Sequence, residues 1–241
     1  MRRVAVVGSG ISGLAAAQAL AAEARVTLFE AGPYFGGHTH TVDMALDGQR
    51  FGVDTGFLVF NHRTYPQLVR LFETLGVATA PSEMSFSVQA GGLEWSGNSL
   101  DTVFAQRRNL LRPRFLGMLL DILRFNRLAT RLAVSGQDTA LHEALADFLQ
   151  RHRFGAGFRD GYLLPMLGCI WSCPTDQMLQ FPVATMLRFC HNHGLLQVAN
   201  RPQWHTVRGG ARHYADKLLA GLHDVRLNTP VLSVRRLPPG D

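Results

Sequence analysis

Apolar positions in the first thirty residues form two short runs on either side of a longer alanine-rich stretch, and each length points to a different element. Arg3 to Val7 ends in a continuous apolar run bounded by glycine, the length of a buried strand. Ile11 to Ala22 is rich in alanine and leucine, the strongest helix formers. Arg25 to Phe29 predicts a second strand. Further along, Asp47-Gly48 predicts a hairpin turn, and Gly91-Gly92 predicts another within Met84 to Trp95. Tyr65 to Leu75 has the spacing of an amphipathic helix ending near Gly76. Leu110 to Ala133 predicts a long helix entered through Arg112-Pro113, with Leu116, Leu119, Leu123 and Leu128 on one face and Arg124, Arg127 and Arg131 on another. Leu141 to His152 predicts a further helix. Tyr162 to Gln197 is apolar and aromatic, broken by Pro165, Pro174 and Pro182, and suits the wall of an oily pocket. After Val207-Arg208-Gly209-Gly210, the pattern predicts a helix to Leu222 and a strand pair or bent strand over Val225 to Arg236.

The link between the first strand and helix carries the chemistry. Gly8, Gly10 and Gly13 form a G-x-G-x-x-G turn. Gly8 makes the turn tight, Gly10 admits a pyrophosphate close to the backbone, and Gly13 lets helix and strand pack closely. The N–H groups of Ile11 and Ser12 at the helix start suit phosphate oxygens. Glu30 lies about 20 residues after the glycines, where an acid accepts hydrogen bonds from a ribose hydroxyl. Its charge argues against a 2′-phosphate. Strand, helix and terminal acid agree, so the motif points to an unphosphorylated adenosine dinucleotide, NAD or FAD.

Composition narrows the classes. The chain has 241 residues, 46% of them hydrophobic and 17% charged, which fits one large globular domain or two small ones. The net charge of +6 comes from 23 arginines and a single lysine, Lys217, against 18 acids. Residues 107–131 carry the whole excess, which leaves the rest neutral and nucleic-acid binding a poor default. That basic amphipathic segment, 110–133, suits peripheral contact with a membrane; a solvated helix face is the plainer alternative. Cys169, Cys173 and Cys190 are too few for a disulfide framework and fit a reducing, cytoplasmic compartment. Their spacing with His191 and His193 matches no standard zinc site, so no metal is expected. Arg2 and Arg3 before an apolar run imitate a secretory leader, but Glu23 and Arg25 interrupt it and cleavage would remove the glycine motif.

A second glycine-bearing pattern separates FAD from NAD. Gly36-Gly37 is followed by His38, Thr39, His40 and Thr41, then the hairpin, then Val53-Asp54-Thr55-Gly56-Phe57. A plain NAD domain would proceed to another crossover helix instead. In this order the motifs resemble the FAD-binding domain of the flavin amine oxidase superfamily, which includes phytoene desaturases and protoporphyrinogen oxidases. FPVATMLRFCHNHGLL and PQWHTVRGGARHYADKL resemble its bacterial FAD/NAD-binding amine-oxidase-like branch.

The resemblance implies an α/β fold, with a Rossmann-like FAD-binding domain and an inserted, largely helical substrate region. Residues 1–80 would be the first part of the FAD-binding domain, 81–200 the substrate segment, and 201–241 the return to the FAD-binding domain. Relatives continue further, so the chain is expected to be an N-terminal portion that lacks the C-terminal part of the family fold. Gly36, Gly37, His38 and Thr39 would lie beside the pyrophosphate, Gly56 and Phe57 near the isoalloxazine, and the Val231 backbone at the adenine edge. His38 stands where many relatives carry arginine, and a neutral imidazole donates only one hydrogen bond. The implied activity is an FAD-dependent oxidoreductase. It would remove hydride to flavin N5 from a small substrate, either an amine or an apolar lipid or isoprenoid. The alternatives are a redox-neutral flavin mutase or isomerase, and a non-catalytic dinucleotide-binding fragment. No Ser/His/Asp or Cys/His arrangement identifies a catalytic residue. His191 and His193 are acid/base candidates or structural histidines.

Overall fold

A computed structural model describes residues 1–136, 141–171, 173–198 and 200–236. The chain divides into two compact units, Met1–Glu83 joined by the chain from Gln203 onward, and Met84–Pro202.

The first unit opens with β1 (Arg2–Val7), α1 (Ile11–Leu20) and β2 (Ala24–Phe29), a parallel crossover paired from Arg2–Ala24 to Val7–Phe29. Ala24, Val26 and Leu28 of β2 are buried, Leu28 with Leu14 in the main core of this unit and Ala24 and Val26 with Ala17. The alternation follows the pleat. α1 ends at Leu20, two residues earlier than its composition predicts, in a turn where the Glu23 amide bonds the Leu20 carbonyl. β3 (Thr41–Leu46) and β4 (Gln49–Asp54) form the expected hairpin, with Asp47 and Gly48 both at positive φ. β5 (Phe60–Asn61) precedes α2 (Pro66–Leu75), which stops at left-handed Gly76, and β6 (Thr79–Ser82) follows.

The second unit holds the hairpin β7 (Ser87–Ala90) and β8 (Leu93–Ser96), then helices α3 (Leu100–Val103) and α4 (Pro113–Ser135), with a 3₁₀ turn at Arg107–Leu111 between them. α5 (Leu145–Arg151) is shorter than the predicted 141–152. The Glu143 carbonyl accepts from Val183 and Ala144 bridges Pro182, which ties up the preceding backbone. α6 (Ala156–Phe158), a π-turn at Arg159–Leu163 and α7 (Leu164–Trp171) form one continuous helical run. Pro165 has no N–H to give to the Gly161 carbonyl four residues back, and the Trp95 indole N–H donates to that carbonyl instead, at 3.2 Å. Pro174 and Pro182 stand at the N-caps of α8 (Thr175–Met178) and α9 (Val183–Asn192). The 162–197 stretch supplies much of this unit's core, including Leu163, Leu167, Val183, Met186 and Leu187.

The predicted leucine face of α4 needs correction. Phe115, Met118, Phe125 and Ala129 are the buried stripe, with Leu119 and Leu128 packed beside it, whereas Leu116 and Leu123 point outward. The two phenylalanines bury more apolar area than the leucines and set the helix rotation.

The chain returns to the first unit through β9 (Trp204–Val207), α10 (Arg212–Leu219) and β10 (Asp224–Arg226). β9 runs antiparallel between β5 and β6, and β10 joins β2 on the edge opposite β1. Of the strand pair or bent strand expected over Val225 to Arg236, only Val225 and Arg226 form a strand, within β10, because residues beyond Arg226 find no ladder partner among the described residues. The closing Pro238-Pro239-Gly240-Asp241 lies outside the described residues.

Candidate FAD site

The glycine turn has the geometry its spacing predicts, and each glycine is needed for a different reason. Gly8 sits at φ +89°, and its amide bonds the Phe29 carbonyl at 2.8 Å. A Cβ on Gly13 would lie 1.9 Å from the Gly8 carbonyl oxygen, so the helix rests directly on the turn. A Cβ on Gly8 or Gly10 would meet nothing within 4 Å. The space above these two residues is therefore open, and the first turn of α1 beneath it has no side-chain cap and no acid. Its N–H groups, those of Ile11 and Ser12 among them, are left for an external anion. The site fits a pyrophosphate.

The second glycine pair is brought onto the first. Gly10 and Gly36 form a parallel bridge, and a Cβ on Gly37 would lie 3.2 Å from Gly10 Cα. The Gly36 amide donates to both the carbonyl and the hydroxyl oxygen of Ser9, each at 3.1 Å. Ser9 is fully buried. Its amide and its hydroxyl both donate to Glu30 Oε2, while Gly32 N–H donates to Oε1 at 2.8 Å. The Ser9 hydroxyl first, and the Gly32 amide second, hold the Glu30 carboxyl below the usual range. Three of the roughly four lone-pair positions on the carboxylate are used by Ser9 and Gly32.

Around the other end, His38 is exposed and its carbonyl accepts from Phe57 N–H at 2.8 Å. A Cβ on Gly56 would fall 2.2 Å from that carbonyl, which explains the glycine. Thr39 is buried, and its hydroxyl is shared with the Tyr214 hydroxyl at 2.6 Å, so it faces the core rather than a phosphate. Phe57 packs edge-on against Tyr65 and Tyr214. Val231 is 38% exposed and outside any strand. The backbone just before it is tied to the site, with Thr229 N–H on the Glu30 carbonyl and Asn228 N–H on the Gly32 carbonyl.

Sequence reasoning missed three residues here. Ser9 reads as a filler between glycines, yet it joins both glycine motifs to Glu30. Asp54 looks like part of a ligand-binding turn. Instead its Oδ1 accepts from Thr41 Oγ1 at 2.6 Å and from Ala211 N–H at 2.8 Å, which fixes the start of α10 to the hairpin. Tyr214 has no local signal at all, since Thr39 lies 175 residues away.

Other candidates behave as structure. His193 stacks on Phe189 at 3.9 Å and its Nδ1 lies 2.9 Å from the Phe189 carbonyl. Cys190 is buried, which pushes its thiol up to about 12. Among the described residues no three His, Cys, Asp or Glu side chains gather to hold a metal.

The fold recurs among solved structures. Wild-type putrescine oxidase bound to putrescine superposes with a TM-score of 0.66 at 22% identity, over 94% of this chain and 51% of that one. Cyclohexylamine oxidase from Brevibacterium oxydans IH-35A gives 0.70 at 19% identity, covering 95% and 51%. A CLA-producing fatty acid isomerase from P. acnes gives 0.60 at 18%, covering 94% and 51%. The chain thus spans about half the length of these solved relatives and shares their fold. No curated protein matches the sequence. The family of flavin-containing amine oxidoreductases matches residues 11–241, nearly the whole sequence. The chain belongs to that family, and its cofactor is FAD.

Proposed function

We propose that this chain carries the cofactor-binding part of an FAD-dependent oxidoreductase acting on a small amine or apolar substrate. One observation carries the reading: the open space above Gly8 and Gly10 is bordered by the Gly36–Gly37 pair and by a carboxylate already fixed by Ser9 and Gly32. In this reading the α1 N–H groups of Ile11 and Ser12, together with Gly36, Gly37 and His38, bind the pyrophosphate. Glu30 binds a ribose hydroxyl, and Gly56 and Phe57 lie at the isoalloxazine. The Val231 backbone lies at the adenine edge. Thr39 supports the site from behind through Tyr214. The unit built from residues 1–83 and the chain from 203 onward is the FAD-binding domain, and 84–202 belongs to the substrate region.

Bound flavin supplies the hydride acceptor; the protein contributes position and electrostatics. The negative charge of Glu30 selects a free 2′-hydroxyl over a 2′-phosphate, because two anions at that spacing repel. The test is to denature purified protein and identify the released nucleotide by chromatography. FAD is expected. Stoichiometric NAD without flavin would overturn the reading. Anaerobic bleaching of the visible spectrum by candidate amines, with recovery in air, distinguishes an oxidase from a redox-neutral isomerase.

A further inference from the structure

The outward face of α4 is unlike a solvated helix surface. Leu120 is 67% exposed and Leu123 is 50%, with Leu116 on the same line; Leu111, 88% exposed, lies in the 3₁₀ turn just before the helix. Positions 116, 120 and 123 recur at the spacing of one helix face, and 127 and 131 continue it. The line therefore changes from leucine to arginine within one helix. Arg127 and Arg131 are exposed and pair with no carboxylate among the described residues. Arg124, beside them, is already committed to Asp121 and to the His152 and Arg153 carbonyls. Next to Leu120, a groove of about 600 Å³ lined by Arg114, Gly117 and Gly157 leaves room at the leucine end.

A helix packed onto a protein core would bury its leucines, and α4 already has a buried face built on Phe115 and Phe125. A helix that only meets water gains nothing from three leucines in line. No helix among the described residues is long and apolar enough to cross a membrane. Leucines on one part of a face with exposed arginines on the rest match the boundary between acyl chains and anionic headgroups, where long arginine stems reach up to phosphates. The net charge of residues 107–131 has the complementary sign.

We propose that α4 lies on an anionic phospholipid surface, with Leu116, Leu120 and Leu123 in the acyl boundary and Arg127 and Arg131 on headgroup phosphates. The surface lies within the second unit and does not depend on the flavin reading, so protein with or without cofactor binds alike.

The test is co-sedimentation of the purified chain with vesicles of phosphatidylcholine alone or mixed with phosphatidylglycerol. Binding is expected only to the anionic vesicles and should weaken as salt rises. Each arginine near such a surface contributes about a fivefold gain in partitioning, so Arg127→Ala with Arg131→Ala should lose about twenty-fivefold. Arg127→Lys with Arg131→Lys should retain most binding, because charge is the shared feature. Leu120→Gln with Leu123→Gln should lose binding while circular dichroism is unchanged, since both side chains are exposed. Three results would overturn the proposal: no binding to anionic vesicles, equal binding by wild type and the leucine variant, or a wild-type dimer that the leucine variant dissolves while vesicles are ignored.

Discussion

The Ser9 hydroxyl lies 2.5 Å from Glu30 Oε2, and the Ser9 amide donates to the same oxygen at 2.9 Å. A small buried residue between two glycines therefore sets the direction and charge of the carboxylate read as the ribose ligand. Ser9→Ala should weaken FAD binding by about 1.5–3 kcal/mol, the worth of one hydrogen bond to a charged group. Its pH signature is more diagnostic. Glu30 has a folded pKa below its ordinary value, so the stability it contributes is present above that ordinary value, 4.5, and is lost as pH falls through the depressed one. Removing the Ser9 hydroxyl moves the folded value back up, so the variant should lose most stability at neutral pH and little in acid. Urea melts at neutral and acid pH check this; an equal loss at both would contradict it.

Gly10 and Gly13 should fail in opposite ways. A side chain on Gly10 enters open space, so Gly10→Val should leave the thermal midpoint of the cofactor-free protein nearly unchanged while abolishing FAD binding. Gly13→Ala meets the Gly8 carbonyl and should destabilise the fold itself by about 1–3 kcal/mol, as overpacking does. Differential scanning calorimetry and flavin fluorescence titration separate the two outcomes.

Asp54 holds two donors from opposite ends of the chain. Asp54→Ala leaves Thr41 Oγ1 and Ala211 N–H without an acceptor and should cost about 1–3 kcal/mol in chemical denaturation. Asp54→Asn keeps one carbonyl acceptor and should cost less.

Trp95 and Pro165 should be coupled. Trp95→Phe removes the donor to the Gly161 carbonyl and should cost about 1–2 kcal/mol. Pro165→Ala restores a helix N–H four residues on, so the tryptophan substitution should cost less in that background. A double-mutant cycle with strictly additive terms would refute the coupling.

How much of this was legible in the sequence depended on distance along the chain. The βαβ unit, both hairpins and the end of α2 at Gly76 were readable because glycine turns and apolar periodicity are local signals. The four leucines expected on one face of α4 do not share it: Leu119 and Leu128 pack beside Phe115 and Phe125 while Leu116 and Leu123 face outward, and the bulkier phenylalanines decide which side is buried. The strand expected over Val225 to Arg236 reflected β-branched composition, but strands also need a partner. The Thr39–Tyr214 pair and the Asp54 anchor join residues separated by well over half the chain, and no periodicity reports such contacts.

The bridge between Gly10 and Gly36 has a kinetic consequence. Since the Gly36 amide is held by Ser9, it can exchange with solvent deuterium only when the fingerprint turn itself opens. The two glycine motifs therefore open and close as one unit, and a single local unfolding event exposes both.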